Sequence, residues 1–533
     1  MEDMGVSRLI DDLKRASLIP YFCKVSEHFA EYADYLRYDV KGKNGTFVVF
    51  RPVLGMGSSD GLTLLAFALV LRRFLGYEPI FVFDDAPDSL LWEEDLYAGR
   101  LKGYPFVHIT YRKYCYARLL DKLKIKYYMF SDIPSIGDFD KVTLTKSAYW
   151  EDYWARVSSF RLYRLPVLNT MPKKVQDAYK RRRKQFIYVR RKLYGLLSVE
   201  SPVFFLLWHG DLPFGGDTLI STYLNLINIP FLFVKRGIYD DTVQIRWDAT
   251  FSSPHEHFFS LWQSDEVWLE LFREYWEQRI SHRVRDTSYG FSNTRMIVED
   301  IRRKADGRRI ILAFPNVMWD GSVYTAFRFV TPFEWLKRLI KIAGKQKNEV
   351  FLVIRMHPHE SIYYEKARTY YVLKKLISNI PENVMILPPD VNLSTYQLMQ
   401  DLSEAVYTVY NGTVGLEFPV LQGKKAVLAG RAHYSNKGFT VDANNWQEYE
   451  ELLLSDTIYD RNEVRNLAEK YSTYYFVFSQ LLFPIVRNRK ESEWYVMFPG
   501  VLRDVEFYDR WDWYLERIPY LISNKVAKEL PIY

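Results

Sequence analysis

The segment FLVIRMHPHE, which begins at residue 351, opens with apolar residues and ends with polar side chains that can bind a ligand. Pro358 disfavours helix at His357, so Arg355, His357 and Glu360 fall where a strand gives way to a loop. Ligands of open α/β sheets bind beyond the carboxyl ends of strands. We therefore predict that these side chains contact a phosphate or a ribose. A structural histidine held by a backbone carbonyl is the alternative.

A second group of ligand-binding candidates lies in AVYTVYNGTVGLEFPVLQGKKAVLAG, which we interpret as strand, tight turn, short helix and strand. Asn411 and Gly412 tolerate unusual backbone angles, and Thr413 is a suitable N-cap. The N–H groups and dipole of a helix start favour an anion by roughly 0.3–2 kcal/mol. Glu417, one turn later, can accept hydrogen bonds from ribose hydroxyls. Ordinary helix capping is the alternative.

Cationic residues follow the last strand of this segment, in RAHYSNKGFT. We predict that Arg431 and Lys437 bind the phosphate charge of a donor, with His433 and Tyr434 beside them. A solvated loop is the alternative. Upstream, Ser394 is a predicted N-cap, and Tyr396 is predicted either to stack on a base or to pack in the core.

Candidate general bases lie in the N-terminal half of the chain. LGMGSSDG places Asp60 at a strand-to-helix turn, and WHGDLPFGGD supplies His209 and Asp211 at an equivalent position. The glycine-rich run is neither GxGxxG nor a P-loop. We predict that Asp60, His209 or Asp211 deprotonates an acceptor hydroxyl. Caps and turns are the alternative for each residue.

A strongly basic helix is predicted over residues 170–198. A solvated face and adsorption to anionic lipid are the two interpretations, the latter gaining about 1 kcal/mol per basic residue near the surface. RNA binding has no supporting motif. Asp138 and Asp140 form a DxD triplet of the kind expected by chance, and no metal site is predicted. The cations that follow Tyr179 in this helix are Lys180, Arg181, Arg182, Arg183, Lys184, Arg190, Arg191 and Lys192.

The elements that must position these residues form two successive α/β series. Strands alternating with helices indicate parallel sheets. The first series begins at TFVVFRP and the second at RRIILAFPN. Residues 1–40 and the aromatic segment 460–533 are predicted to be helical. The second series is predicted to have strands at 308–316, 350–355, 384–389, 405–410 and 425–429 and helices at 332–345, 361–379, 394–403 and 413–422.

Length and composition limit the possible classes of protein. A chain of 533 residues with 48% hydrophobic residues is too long for one core and is not globally disordered. A net charge of +7 suits anionic substrates and falls short of a nucleic-acid-coating protein. Cys23 and Cys115 form no metal or disulfide pattern. No signal peptide and no membrane span are expected, so we predict a cytoplasmic protein, with peripheral attachment to the inner membrane face as an option.

The run AFPNVMWDGS, its spacing to IRMHPHE, and NGTVGLEFPVLQGKKAVLAGRAHYSNKGFT resemble the capsule polysaccharide biosynthesis family over about 130 residues. That family is related to Kdo transferases and, more distantly, to teichoic-acid glycerophosphotransferases. The resemblance implies a GT-B fold, in which two Rossmann-like domains face each other across a cleft. It also implies that His357–Pro358, Asn411–Thr413 and Glu417 hold the donor without an essential metal. Asn-Gly and Phe418-Pro419 depart from the family pattern.

Together these observations predict a GT-B glycosyltransferase that needs no cofactor. It would move a sugar from a nucleotide-sugar donor to a surface-polysaccharide or lipid-linked glycan acceptor. The alternatives are a polyol-phosphate transferase of the teichoic-acid type and a non-catalytic binding protein. The predicted domains are 1–300 for the acceptor and 301–460 for the donor, with helices at 461–533 packing back on the first. An anionic membrane surface contacting 180–192 is a predicted partner, and nucleic acid is not.

Overall fold

The computed structural model describes residues 44–50, 59–83, 117, 119–137, 141–163, 165–208, 217–239, 242–247, 257–281, 283, 294–318, 323, 328–360, 369–377, 379–456, 458–483 and 508–523. They divide into two compact units. Described residues within 1–155, 177–250 and 479–533 form the first unit, and those within 156–176 and 251–478 form the second. Of the described residues, 257–281, 283, 294–300 and 461–478 group with the second unit, whereas the predicted division falls at residues 300 and 460.

The first unit contains a seven-stranded sheet in the order β13-β6-β5-β4-β1-β2-β3. Strands β1 to β5 pair in parallel, whereas β6 and β13 are antiparallel to their neighbours. The runs TFVVF and FFLLW have almost no polar residues, as expected of strands that are buried on both faces. The strands are β1 Thr46–Phe50, β2 Glu78–Phe83, β3 Lys126–Met129, β4 Phe204–Trp208, β5 Phe231–Arg236, β6 Thr242–Trp247 and β13 Leu481–Leu482.

Helices cover this first sheet. The C-terminal helix α14 packs on α1 through aromatic rings, with the centroids of Phe67 and Trp511 5.5 Å apart. The division between the units passes through α2 and α3. The helices are α1 Ser59–Leu75, α2 Lys141–Leu162, α3 Lys173–Val199, α4 Asp217–Leu226 and α14 Tyr508–Ser523, with a 3₁₀ turn at Phe130–Asp132.

The second unit contains a six-stranded sheet in the order β12-β11-β10-β7-β8-β9, and every recorded pairing is parallel. A parallel sheet needs crossover helices, which alternate with the strands here. The strands are β7 Arg309–Phe314, β8 Val350–Arg355, β9 Val384–Leu387, β10 Val406–Val409, β11 Ala426–Leu428 and β12 Thr440–Asp442.

The helices of the second unit bury apolar faces against this sheet. Phe418 of α11 stacks on Tyr407 of β10 with ring centroids 3.6 Å apart. The helices are α5 His257–Leu261, α6 Glu266–Ile280, α7 Thr294–Ala305, α8 Pro332–Lys345, α9 Thr369–Leu376, α10 Thr395–Asp401, α11 Val414–Gln422, α12 Trp446–Leu454 and α13 Arg461–Thr473, which continues as a π-helix at Tyr474–Phe478.

The predicted α/β class with two Rossmann-like sheets is confirmed. Helix α8 and strand β8 have the predicted bounds. The C-terminal segment differs from the all-helical prediction, because Leu481–Leu482 adds a strand to the first sheet. The helix predicted over residues 1–40 lies outside the described residues. None of the described helices combines the length and apolar character that a membrane crossing requires.

Candidate functional site

Three adjacent strands of the second sheet end level with one another. In the pairing of β10 with β7, Val409 lies opposite Phe314, and in the pairing of β7 with β8, Ala313 lies opposite Ile354. The polar residues two positions beyond the three strand ends are therefore neighbours along the carboxyl edge of the sheet. We call these three residues the edge row: Asn411 after β10, Asn316 after β7 and His357 after β8.

Two members of the edge row carry buried amide oxygens without a partner. The Oδ1 atoms of Asn316 and Asn411 are inaccessible to solvent and accept no hydrogen bond in the described part of the chain. A Cβ atom built on Gly412 would lie 3.6 Å from Asn316 Oδ1, so the Asn316 amide rests against the turn that contains Asn411. A buried polar atom left unpaired costs about 1–3 kcal/mol. A ligand that donates hydrogen bonds would satisfy both oxygens.

Asn316 was not among the predicted site residues. The signal was present, because Asn316 ends the run RIILAFPN at the same distance from its strand as Asn411. Applying the strand-end rule to β7 as well as to β8 and β10 would have found it.

The turn between β10 and α11 is fixed by a tyrosine. Tyr434 donates its hydroxyl hydrogen to the carbonyl of Gly412. A Cβ atom on Gly415 would lie 2.3 Å from the Tyr434 oxygen, so only glycine fits there. Thr413 occupies the N-cap position with helical angles, φ −58° and ψ −23°, and its side chain makes no capping bond. The hydroxyl of Thr413 therefore does not serve as the predicted cap.

Asn411 and Gly412, which tolerate unusual backbone angles, do not have positive φ in the structure. The described residues of this region with positive φ are instead Asn436 and Gly438, at 59° and 87°, together with Gly423 at the end of α11. Helix α11 also continues through Pro419 to Gln422, and Gly423 in the left-handed conformation ends it.

Glu417 is buried in α11 and paired with Arg279 of α6. Arg279 donates to Glu417 Oε1 from Nη2 at 2.6 Å and from Nε at 3.1 Å. Arg279 also donates to the Tyr275 hydroxyl at 3.0 Å and lies 5.1 Å from the Phe476 ring centroid. Both hydrogen bonds from Arg279 end on the same oxygen of Glu417. The sequence analysis did not anticipate Arg279, since nothing in the local pattern links residues so far apart.

Arg355 is buried and serves the backbone. It donates to the carbonyls of Met356, Pro388 and Val391 at 2.7, 3.0 and 3.2 Å. Burial lowers the pKa of Arg355 to about 10, although the charge of Asp390 opposes that shift. These contacts fix the loop after β9 and occupy the guanidinium, except for Nε, which is buried and unpaired.

His357, the third member of the edge row, has a neutral imidazole. Its Nδ1 accepts a hydrogen bond from the backbone N–H of His359 at 3.2 Å. Burial lowers the pKa of His357 to about 3, with further lowering from His359 and Arg355. Because Nδ1 accepts, the ring proton resides on Nε2, which can donate to a ligand.

Glu360 caps α9. Its Oε2 accepts from the backbone N–H of Thr369 at 3.0 Å, and its Oε1 accepts from the Thr369 hydroxyl. Burial raises the pKa of Glu360 to about 7, against the lowering effect of these bonds and of a backbone bond from Met318. This carboxyl group therefore has an intramolecular role in the structure.

The predicted cations after β11 occupy different surroundings. Arg431 is half-buried, and its charge lowers the pKa of Arg328, for which burial is the main cause. Arg328 is itself paired with Asp442 at 3.3 Å. Lys437 places its ammonium group 5.4 Å from the Phe259 ring centroid. Arg431 is thus close enough to Arg328 for their charges to interact, and Lys437 lies against an aromatic ring.

Two residues predicted upstream are now located. Ser394 caps α10 as predicted, accepting from Gln397 N at 3.2 Å. Tyr396 is buried against Trp276, with ring centroids 5.9 Å apart, and is a core residue.

Of the predicted bases, only the backbone of Asp60 is described, in the first turn of α1 after β1. His209 and Asp211 lie outside the described residues, as do the glycine-rich loop before residue 59 and the DxD triplet. In the described part of the chain, no group of three His, Cys, Asp or Glu side chains could hold a metal ion.

The basic helix α3 divides its cations between interior and surface. Arg182, Arg190 and Lys192 are buried. Arg190 Nε donates to Glu151 Oε1 at 2.6 Å, and burial raises the pKa of Glu151 to about 7. The other seven cations of the helix are exposed. The charge run is thus partly a solvated face and partly a buried network.

Comparison with known proteins gives one family match. Residues 272–476 match the model of the family described as capsule polysaccharide biosynthesis protein. No curated protein is significantly similar to the chain in sequence.

Solved structures give weaker likenesses. The α,α-trehalose-6-phosphate synthase of Burkholderia multivorans is 10% identical, with 92% of this chain and 100% of that chain covered and a TM-score of 0.31. The S. aureus MnaA–UDP structure is 11% identical, with 92% and 100% covered and a TM-score of 0.21. TM-scores this low support no inference about activity. The family match rests on sequence and includes the edge row and the helices around it. Over residues 272–476 the chain matches the capsule polysaccharide biosynthesis family, as its motifs predicted.

Proposed function

We propose that the chain is a glycosyltransferase that moves a sugar from a nucleotide-sugar donor to a surface-polysaccharide or lipid-linked glycan acceptor. The observation that carries the proposal is the edge row beside the N-terminus of α11, inside the region that matches the capsule family. The carboxyl edge of a parallel sheet next to a helix N-terminus is a favourable place for a nucleotide phosphate.

The donor diphosphate would lie at the first turn of α11. His357 Nε2–H and the N–H groups of that turn would donate to its oxygens, and Arg431 would add positive charge. Glu417 Oε1 is occupied by Arg279, so Oε2 would accept from the ribose hydroxyls. Charge develops on the leaving phosphate during transfer, and preorganised donors stabilise it there. In the same step, a base removes the proton of the acceptor hydroxyl that attacks the sugar carbon.

Calorimetry with CMP, UDP and GDP tests the donor site. We expect one of them to bind the wild type and His357→Ala to weaken that binding about tenfold, the effect of one hydrogen bond to a charged group. His359→Ala is the matched control, because it keeps the backbone N–H that His357 accepts. Because the pKa of His357 is about 3, its imidazole stays neutral between pH 5 and 8. We therefore expect that titration of His357 does not change the nucleotide affinity in this pH range. If none of the three nucleotides binds the wild type, the proposal fails.

Product analysis separates the proposed reaction from polyol-phosphate transfer. A sugar transferase releases a nucleoside phosphate and forms a glycosidic bond, whereas a polyol-phosphate transferase forms a phosphodiester. A phosphodiester product, or nucleotide binding without turnover on any glycan acceptor, would favour the alternatives.

We further propose that the exposed face of α3 attaches the protein to an anionic membrane surface. Lys180, Arg181, Arg183 and Lys184 are exposed on this helix. Near them α2 carries an aromatic cluster in which Tyr149 is 52% exposed and stacks on Tyr153. Exposed cations beside tyrosine and tryptophan suit the headgroup region of a bilayer.

A further inference from the structure

We propose that Asn316 and Asn411 bind hydroxyl groups of the transferred sugar and thereby select the donor. The inference rests on the proposed function and extends it from the nucleotide to the sugar. It starts from two amide oxygens that are buried and unpaired two positions beyond the ends of adjacent strands. Other buried acceptors of the described residues, such as Asn383 Oδ1, are also unpaired, but Asn316 and Asn411 lie side by side at the carboxyl edge of the sheet, where α/β proteins bind ligands.

The chemistry of the amides limits what that ligand group can be. A phosphate oxygen at neutral pH only accepts hydrogen bonds, so it cannot satisfy a carbonyl oxygen. A sugar hydroxyl donates and accepts, which matches an amide that offers one acceptor and two donor hydrogens. The two amides thus offer both acceptors and donors, whereas His357 and the start of α11 offer only donors to a ligand. The edge thus has separate places for hydroxyl and for phosphate.

The two places are close enough for one ligand. Asn411 precedes the first residue of α11 by three positions, and the Asn316 amide lies against Gly412. A sugar attached to a phosphate at the helix start would therefore have its hydroxyls near both amides. Gly412 allows this approach, since its missing side chain leaves room beside Asn316.

Leucine substitutions test the role by affinity and stability together. Two ligands are compared: the nucleotide that binds the wild type, and a sugar ester of that nucleotide. We expect Asn316→Leu and Asn411→Leu each to lower the affinity for the sugar ester about tenfold, and the affinity for the free nucleotide less than about twofold. Removing an unpaired buried oxygen should also raise the Tm of the ligand-free protein by about 2 °C. Equal affinity of the leucine variants and the wild type for the sugar ester would overturn the inference.

Asn383→Leu is the matched control. Its Oδ1 is also buried and unpaired among the described residues, but its Nδ2 donates to the carbonyls of Ala343 and Val350 at 2.8 and 2.9 Å, so this amide is held by the fold. We expect Asn383→Leu to lower the Tm, the opposite sign to the two edge-row variants. A fall in Tm for Asn316→Leu as large as that for Asn383→Leu would assign Asn316 a structural role and overturn the inference.

Aspartate variants distinguish hydroxyl binding from phosphate binding and serve if a leucine variant does not fold. Asn316→Asp and Asn411→Asp keep the acceptor oxygen, so affinity for the sugar ester should stay within about threefold. If the amides instead donate to phosphate, the added charge would weaken the free nucleotide as strongly as the sugar ester, and the inference fails. Absence of any nucleotide binding by the wild type would instead overturn the proposed function itself.

Discussion

Glu417 shows how one buried residue can be held in place by a partner far along the chain. Its pairing with Arg279 is buried, so removing one charge leaves the other without compensation. We expect Glu417→Gln to lower the free energy of unfolding by about 3 kcal/mol. Arg279→Met/Glu417→Gln should recover most of that loss, because neither charge remains. Urea unfolding of Glu417→Gln, Arg279→Met and the double variant measures these free energies. If the loss in the double variant equals the sum of the two single losses, the prediction is contradicted.

The titration of Glu360 gives a pH-dependent prediction at the same scale. Its pKa is raised to about 7 by burial, so the folded protein binds this proton more tightly than the unfolded chain. Stability from the protonated group is present below pH 4.5 and is lost as the pH rises through about 7. We expect the stability difference between wild type and Glu360→Gln to fall by roughly 3 kcal/mol over that range. Comparing the two proteins cancels the similar titration of Glu151. A difference independent of pH would contradict the prediction.

At the scale of elements, the start of α11 depends on contact between a glycine and a tyrosine. Gly415→Ala would place a methyl group 2.3 Å from the Tyr434 oxygen and 2.7 Å from Val409 Cγ2. We expect a loss of about 1–3 kcal/mol in stability and weaker nucleotide binding, because the turn must move. Adding Tyr434→Phe should restore part of the stability. Gly137→Ala is the control, because a Cβ there meets nothing within 4 Å. Thermal unfolding measures both variants, and an equal loss of stability in the two would refute this account.

Elements and their strand-end residues were predictable from the sequence, whereas their partners were not. Strand β8 is an uninterrupted apolar run, and Pro332 marks the start of α8, so local pattern was sufficient for both. Local pattern could not reveal that Arg355 and Glu360 would be used within the fold, since Arg355 donates to carbonyls 33 and 36 positions away and Glu360 accepts from Thr369, nine positions away. Local pattern also did not indicate that the positive φ of this region lies at Asn436 and Gly438.

At the scale of the whole molecule, the distribution of charge predicts where the protein meets a membrane. Arg181→Glu/Lys184→Glu should reduce binding to liposomes that contain anionic lipid by at least about thirtyfold, since each of the two lost cations contributes about 1 kcal/mol near such a surface. Lys341→Glu/Lys345→Glu is the control, because it makes the same charge change at exposed positions of α8. Cosedimentation measures both. Equal binding by the two double variants would refute attachment through α3.

The short strand β13 has a consequence for synthesis of the protein. It pairs Leu481 with Val243, and Gln244 donates to Ser479 across 235 positions of the chain. On the ribosome, β6 is therefore made long before its outer partner, and its edge has no strand to pair with while the second unit is translated. Unpaired strand edges recruit other chains. We infer that truncation shortly before residue 481 yields a nascent protein prone to aggregation and dependent on chaperones, even though both α/β series are already complete.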